Sequence, residues 1–422
     1  MTEKTDVATS ITETPSTTSP RTGRRRWASA LGFLKNCWCA VGLGLAALWL
    51  VEVLLERREQ RSSVYSSRDF AESFGSADPK LLTEFTREMR LAATPARCLE
   101  WEPYSYWRLA PFAGKYVSID ARGLRKTWTP PPTDDDAKRL RVFFLGASVM
   151  WGHGARDDFT IPSLTTKRLS EEGFAVEPTN FGQLGFVSTQ TAIELQRQLQ
   201  GGQIPDVVVV LDGLNDMAAA YLTGVAGDSL FESERRREFR MSNRPALGLI
   251  RHALSNTALG RAFRHQPPPG SLEYASGERP SREQMAIETL NVWLANIRTI
   301  EALRKAYGFA AIYSCQPTVF LKTQPSTFEA GVQRNNDKLR EMYEPYYRLA
   351  QQFFQQVASG QIADAPHLVY LPDAFNSPDW AGKTAFLDHF HLTEAGNATV
   401  AERFAIEMAP ILTVRGVAAQ HD

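Results

Sequence analysis

The sequence predicts an α/β domain in which helices cover both faces of a five-stranded parallel sheet. Short apolar runs alternate with longer stretches of helical periodicity, and this alternation is typical of a parallel sheet. The first and third runs are continuously apolar, as in strands that are buried on both faces. The predicted strands are residues 142–145, 174–178, 207–211, 309–314 and 368–371. The predicted helices are residues 161–172, 189–199, 283–307, 328–357 and 393–412.

Composition narrows the class of protein. The 422 residues include 47 basic and 47 acidic side chains, so the formal net charge is zero and no nucleic-acid partner is expected. A hydrophobic content of 43% is ordinary for a globular protein. Four cysteines are too few for a disulfide framework, although Cys98 and Cys315 could pair if the domain is extracytoplasmic.

The amino-terminal part of the chain is predicted to carry a membrane anchor. Residues 1–30, rich in Thr, Ser, Pro and charge, are predicted to be a disordered cytoplasmic tail. Residues 31–55 are apolar and long enough to cross a bilayer, provided that Lys35 and Glu52 reach its two interfaces. We predict an uncleaved transmembrane helix, because the positive region starts far from Met1 and no small-residue cleavage site follows.

Basic residues around this segment predict its orientation. The amino side carries Arg21, Arg24, Arg25, Arg26 and Lys35. The carboxyl side carries Arg57, Arg58 and Arg61. Because basic residues favour the cytoplasm, the chain is expected to be a single-pass membrane protein whose catalytic domain is periplasmic or extracellular.

Two regions do not follow the alternation of predicted strands and helices. Residues 56–137 are predicted to form a juxtamembrane stalk and pre-domain, ahead of a domain at 138–412. Within residues 56–137, residues 62–95 are predicted to form an amphipathic helix, either a stalk or a helix packed on the domain. Residues 98–128 are predicted to form short strands. Residues 222–282, rich in Arg, Pro and Gly, read as an insertion over one end of the sheet.

Polar residues follow three of the predicted strands. Ser148 lies just past the first strand, residues 182–185 follow the second, and Asn215 follows the third. A fourth polar loop, residues 388–391, precedes the last helix. Because carboxyl ends of parallel strands meet at one edge of a sheet, these loops can converge. A serine at this position could equally cap the next helix.

If these four loops converge, their side chains and amides supply every part of an acyl-transfer site. Ser148 would be the nucleophile, His391 the base, and Asp388 the carboxylate that orients the imidazole. The amides of Ser148 and Gly185, with the Asn215 side chain, would form the oxyanion hole.

Other histidines offer alternative roles. His153 is a rival base, and His389 with His391 could ligate a metal. No acidic cluster supports a metal site, so neither a metal nor another cofactor is expected.

Taken in order, these blocks resemble the SGNH/GDSL hydrolases, a superfamily of esterases and lipases. The resemblance covers about residues 138–412, with residues 222–282 unaligned. The family's functional positions fall on Ser148, Gly185, Asn215, Asp388 and His391. The resemblance implies a flavodoxin-like three-layer α/β/α sandwich that acts on ester bonds.

One motif departs from the family pattern. The usual Gly-Asp-Ser-Leu reads Gly146-Ala147-Ser148-Val149 here. The missing aspartate normally has a supporting role, so activity is still expected. The Gly-x-Ser-x-Gly elbow of α/β-hydrolases is absent, since Met150 replaces its second glycine.

The expected function is that of a membrane-anchored serine esterase. Its expected partners are an acylated small molecule or polysaccharide and, through residues 31–55, the membrane. The expected reaction removes O-acyl groups, O-acetyl among them, from a carbohydrate or cell-envelope polymer. Two alternatives remain open, an O-acyltransferase on the same fold and a non-catalytic envelope binding or assembly module, for which Ala147 is the only indication.

Overall fold

The computed structural model describes residues 78–93, 98–131, 139–241 and 280–418, together with the isolated positions Trp38, Gly42 and Leu50. The predicted tail, nearly all of the predicted anchor and residues 242–279 of the insertion lie outside these ranges. Of the helices in the described part of the chain, none combines the length and apolarity that crossing a membrane requires.

Strands and helices alternate through residues 140–241 and 280–418, as the sequence predicts. The strands are β1 Leu99–Glu102, β2 Tyr106–Leu109, β3 Phe112–Ala113, β4 Ser118–Ile119, β5 Leu140–Gly146, β6 Val176–Asn180, β7 Val207–Asp212, β8 Ala310–Cys315 and β9 Leu368–Tyr370. The α-helices are α1 Pro79–Ala93, α2 Ser148–Trp151, α3 Ile161–Glu171, α4 Ser188–Gln200, α5 Leu214–Thr223, α6 Glu232–Met241, α7 Arg282–Tyr307, α8 Thr327–Asn335, α9 Asp337–Ala358 and α10 Glu394–Ala418.

Strands β5 to β9 form the predicted five-stranded parallel sheet, in the order β6-β5-β7-β8-β9. The sheet prediction is therefore confirmed, although the strand bounds differ from the predicted ones at several ends. β6 begins at Val176 rather than at residue 174, because the amide of Phe174 donates to the carbonyl of Leu169 and so belongs to the turn after α3.

Helices cover both faces of the sheet, so the three-layer α/β/α arrangement is confirmed. Side chains of successive strand residues point to opposite faces. Phe143 and Val208 pack into a core built with α4, α5, α7 and α9. Val142 and Val209 pack into a second core built with α3 and α10. Each face of the sheet is thereby buried under its own layer of helices.

The predicted helix at residues 328–357 is in fact two helices. Asn336 separates α8 from α9, with φ −127° and ψ 37°. Its side-chain amide donates to the carbonyl of Val332 at 2.8 Å. This local hydrogen bond competes with helix continuation, a common property of asparagine.

Residues 78–93 and 98–131 pack on the carboxyl edge of the sheet. Phe85 and Met89 of α1 are fully buried, in a cluster that includes Trp151, Leu184 and Leu387 from the loops beyond the sheet. The Glu88 carboxylate accepts hydrogen bonds from the backbone amides of residues 115–117. Of the two interpretations of the amphipathic helix, its described residues match a helix packed on the domain.

Cys98 and Cys315 do not pair. Both thiols are free and buried. Cys98 lies in the cluster around α1, whereas Cys315 lies in the core under α9. Burial raises the pKa of each thiol to about 12, so both remain protonated at neutral pH.

Candidate active site

Ser148 is presented by a tight strand-to-helix turn. β5 ends at Gly146, whose φ of 151° and close approach to the Leu211 carbonyl leave no room for a side chain. α2 starts at once with Ser148, and its first intrahelical hydrogen bond runs from the amide of Trp151 to the carbonyl of Ala147. The Ser148 amide is therefore among the first-turn donors that have no partner inside the helix.

The loop at residues 388–391 folds its two functional side chains together. Asp388 Oδ1 accepts hydrogen bonds from the backbone amides of Phe390 at 2.9 Å and His391 at 2.8 Å. Asp388 Oδ2 lies 2.6 Å from His391 Nδ1, and His391 Nε2 lies 2.9 Å from Ser148 Oγ. The structure thus brings the predicted nucleophile, base and carboxylate into one hydrogen-bonded chain.

Charge supports this arrangement. Burial by itself raises the pKa of Asp388, but the positive charge of His391 and the hydrogen bonds from it outweigh burial and bring that pKa below the ordinary range of aspartate. An ionised Asp388 favours the tautomer with the proton on Nδ1. Nε2 is then an acceptor for the Ser148 hydroxyl.

The two other histidines of the site do not bond Ser148 within the described residues. The His153 ring lies 4.3 Å from the His391 ring, centroid to centroid. Burial, followed by the charge of His391, lowers the pKa of His153 well below its ordinary value. It is therefore a neutral ring that packs against the base.

The His389 ring stacks with the rings of Phe320 and Tyr343, and its backbone braces the loop. Its carbonyl accepts hydrogen bonds from the hydroxyl of Thr318 at 2.8 Å and the amide of Val319 at 3.1 Å. Burial lowers the pKa of its ring. In the described ranges, no group of three or more His, Cys, Asp and Glu side chains is arranged to hold a metal.

The predicted oxyanion donors lie on adjacent loops. β5 and β7 are neighbours, with Gly146 paired to Leu211, so α2 and α5 start side by side. Asn215 Nδ2 donates to the Phe186 carbonyl at 3.0 Å, which fixes the amide and leaves its second N–H for another acceptor. The Gly185 amide has no acceptor among the described residues, and its φ of 72° suits glycine.

The start of the predicted insertion covers this loop. A side chain at Gly185 would lie 3.2 Å from Leu230 Cδ1. The Phe231 ring contacts the Trp107 ring edge-on, with 5.2 Å between centroids. The described residues before α6 thus pack against the loop that carries Gly185.

Ala147 occupies an apolar environment. It is buried in a cluster with Trp107 and Phe186. A carboxylate at this position would be desolvated against two aromatic rings, at a high cost. An alanine rather than an aspartate at position 147 therefore matches its apolar surroundings.

Sequence analysis missed Arg125, which holds the loop after α2. Its guanidinium donates to Asp157 Oδ1 at 2.8 Å and to the carbonyls of Gly152 at 3.0 Å and Ala155 at 2.6 Å. It also lies 4.3 Å from the Trp151 ring centroid. Arg125 belongs to the region predicted as a pre-domain, and no local pattern indicates that it reaches the site.

A buried ion pair supports the loop that carries Asp388. Lys322 and Glu329 side chains are both fully buried, with 2.7 Å between Nζ and Oε2. Glu329 Oε1 accepts hydrogen bonds from the amides of Ala385 at 2.8 Å and Phe386 at 3.0 Å. The sequence does carry one signal for Glu329, the Ser326-x-x-Glu capping box at the start of α8.

Glu329→Ala should lower the free energy of unfolding by roughly 3–5 kcal/mol, because it leaves the Lys322 ammonium buried without a counter-charge. Urea denaturation measures this loss. The exposed Glu344 gives the matched control, and Glu344→Ala should change the same free energy by no more than about 0.5 kcal/mol. Equal stability of the two variants would contradict a structural role for the pair.

Asn215→Ala should lower kcat for ester hydrolysis by roughly 10²–10³, the usual cost of losing one oxyanion donor. The fold should persist, since only one side-chain hydrogen bond to Phe186 is lost. Steady-state kinetics on a chromogenic acyl ester measure the effect. An unchanged kcat with a raised KM would instead place Asn215 in substrate binding.

Comparison with known proteins gives structural similarity alone. No family model and no curated protein sequence matches this chain. It is similar to a member of the lipolytic protein G-D-S-L family from Veillonella parvula, at 11% identity and a TM-score of 0.36, over 64% of this chain and 97% of that one. It is also similar to Axe2, an acetylxylan esterase from Geobacillus stearothermophilus, at 13% identity and a TM-score of 0.34, over 64% and 94% of the respective chains. The function proposed below rests on the geometry of the Ser148 site and not on these similarities.

Proposed function

We propose that this chain is a serine esterase of the SGNH type that removes O-acyl groups from its substrate. One observation carries the proposal. His391 Nε2 lies 2.9 Å from Ser148 Oγ, while its Nδ1 lies 2.6 Å from Asp388 Oδ2. A nucleophile in contact with a base, which is in turn oriented by a carboxylate, is the arrangement that acyl transfer requires.

Each residue has a defined part in the proposed reaction. Ser148 Oγ attacks the ester carbonyl carbon while His391 Nε2 takes the hydroxyl proton. The carbonyl oxygen becomes an oxyanion that accepts hydrogen bonds from the amides of Ser148 and Gly185 and the Asn215 side chain. Collapse of the tetrahedral species breaks the ester bond, and the leaving alcohol takes the proton from His391. Water then attacks the acyl-enzyme by the same route and releases the acid.

The proposed substrate is an O-acyl, including O-acetyl, group on a carbohydrate or cell-envelope polymer. This part follows from the expected location of the domain and from the family resemblance. An acceptor sugar hydroxyl could replace water at the acyl-enzyme, which would make the chain an O-acyltransferase.

The test is direct turnover by the full chain. p-Nitrophenyl acetate and longer acyl esters should be hydrolysed, and an O-acetylated polysaccharide should release acetate. Acetate transferred to added saccharide, with little free acetate, would identify a transferase. Lack of turnover of every ester and of the polysaccharide would contradict the proposed activity.

We also propose that residues 31–55 anchor the chain, with the amino terminus in the cytoplasm and residues 62–422 outside. The basic excess before the apolar stretch supports this orientation. A reporter enzyme that is active only after export, fused after Asp422, should be active. A reporter that works only in the cytoplasm should be silent at the same junction, and the reverse pattern would contradict the proposed topology.

A further inference from the structure

Asp216 is a buried carboxylate to which the proposed reaction assigns no part. It follows Asn215 directly, in the first turn of α5, and is 1% exposed. Burial raises the pKa of its carboxyl group, and hydrogen bonds from Ser188 counteract that rise. A carboxylate removed from water is costly unless hydrogen bonds compensate it, so the partners of Asp216 indicate its role.

The partner of Asp216 is Ser188, the first residue of α4. The Ser188 amide donates to the carboxylate and lies 3.1 Å from each of its oxygens, and the Ser188 hydroxyl donates to Oδ1 as well. Asn296 Nδ2 donates to Ser188 Oγ at 2.8 Å, so the hydroxyl hydrogen is directed to Asp216. Val187, at the N-cap of α4, has no side-chain oxygen for a first-turn amide, and Asp216 supplies that acceptor from another helix.

The neighbouring Asp212 does not share this role. It ends β7, and its Oδ1 accepts a hydrogen bond from the Thr191 hydroxyl at 3.2 Å. Burial, followed by the charge of Asp216, raises the pKa of Asp212 well above its ordinary value. Asp216 has the two Ser188 donors and is therefore the ionised member of the pair, whereas Asp212 is the neutral one.

Asn215 and Asp216 hold neighbouring points of one loop. Residues 181–187, here called the oxyanion loop, connect β6 to α4 and carry Gly185. Asn215 Nδ2 donates to the Phe186 carbonyl, one residue after Gly185, at 3.0 Å. Asp216 holds the residue at which the loop ends. Two consecutive side chains of α5 therefore fix the part of the loop that carries the Gly185 amide.

We propose that Asp216 is a positioning residue for the oxyanion hole. Through Ser188 it keeps the oxyanion loop, and with it the Gly185 amide, where the ester oxygen becomes an oxyanion. This role rests on the proposed esterase function. An oxyanion donor acts at about 2.7–3.1 Å, so a small shift of the loop weakens its hydrogen bond in the transition state. Asp216 itself lies in the first turn of α5, where the helix dipole favours a negative charge.

Steady-state kinetics of the full chain on p-nitrophenyl acetate test this role. Asp216→Ala should lower kcat roughly 10²-fold, the effect of misplacing a group of the site by about 1 Å, and should leave KM within about 2-fold. Asp216→Asn retains an oxygen that can accept the Ser188 amide, so its kcat should fall by less than roughly 10-fold. A loss that appears in KM rather than in kcat would overturn the proposal.

Asp206 provides the matched control, because it is another carboxylate that accepts a backbone amide, that of Arg141 at 2.7 Å. It precedes β7, whose six residues span roughly 20 Å between Asp206 and the edge that carries the site. Asp206→Ala and Asp216→Ala should both lower the melting temperature, but kcat should fall in Asp216→Ala alone. A lower melting temperature with the original kcat in Asp216→Ala would make its role purely structural and overturn the proposal.

Milder variants decide the proposal if Asp216→Ala does not fold. Ser188→Ala removes the hydroxyl donor, keeps the amide, and should lower kcat roughly 3- to 10-fold at unchanged KM. The loss in the double variant Ser188→Ala/Asp216→Asn should be smaller than the product of the two single losses, because both changes act on one contact. Losses that multiply, or a Ser188→Ala variant of unchanged kcat, would overturn the proposal.

Hydrogen–deuterium exchange separates this proposal from the proposed function. Exchange in residues 182–188 should be faster in Ser188→Ala and Asp216→Asn than in the unsubstituted chain, and equally slow in Asp206→Ala. Ester hydrolysis by the unsubstituted chain, with unchanged exchange and kcat in the variants, would overturn the role of Asp216 and leave the esterase. A chain that hydrolyses no ester would overturn the esterase, and faster exchange in the variants would still retain Asp216 as the residue that holds this loop.

Discussion

Ser148→Ala should lower kcat for acyl-ester hydrolysis by roughly 10⁴–10⁶, because loss of the nucleophile removes the acyl-enzyme route and leaves only binding and the oxyanion donors. The fold should be retained. Ser148 is 6% exposed, and its backbone rather than its side chain makes the hydrogen bonds that shape α2. Kinetics on p-nitrophenyl acetate with the purified full chain measure the loss.

The exposed Ser359 provides the matched control for this substitution. Ser359→Ala should retain the original kcat and KM. If Ser148→Ala keeps its activity while His391→Ala is inactive, another group is the nucleophile and the assignment of Ser148 is wrong.

Asp388→Asn should lower kcat by roughly 10⁴, the effect of losing the oriented tautomer in a triad. Asparagine retains an oxygen that can accept the amides of Phe390 and His391, so the turn should survive. Its amide group in place of Oδ2 would donate to His391 Nδ1. The proton would then lie on Nε2, where the imidazole can no longer accept the Ser148 proton.

The pH dependence of this effect follows from the sign of the pKa shift. The folded pKa of Asp388 is lowered, so its interaction with His391 is fully present above the ordinary aspartate range and is lost only as pH falls through the lowered value. Asp388 should therefore stay ionised between roughly pH 6 and pH 8, and the deficit of Asp388→Asn should persist throughout that range. The exposed Asp379→Asn should show no deficit. A deficit that disappears within this range, or a variant of unchanged kcat, would contradict the assigned role.

The sheet could be predicted because its signal is local. The apolar run at 142–145 and the four valines that start β7 are buried on both faces, which a sequence shows directly. The convergence of Ser148, Asn215 and residues 388–391 could be predicted because parallel strands share a carboxyl edge. The contact between the His391 ring and the Asp388 carboxylate joins residues only three positions apart, so it is also local.

Features that depend on long-range pairing were not predictable. Arg125 and Asp157 are 32 positions apart, and Glu329 accepts from an amide 56 positions away. Nothing in the local pattern around either residue indicates its partner. The helix break at Asn336 was not predicted for another reason. The apolar periodicity of α9 indicates a continuous helix, whereas the break depends on a single side-chain hydrogen bond.

Covalent labelling tests the central proposal most directly. A fluorophosphonate probe reacts with a serine whose hydroxyl is activated by a base, and peptide mapping then locates the adduct. We expect one adduct on Ser148, which Ser148→Ala abolishes and His391→Ala slows by several orders of magnitude. An adduct on another serine, or an unlabelled Ser148 in a chain that hydrolyses acyl esters, would contradict the proposed nucleophile.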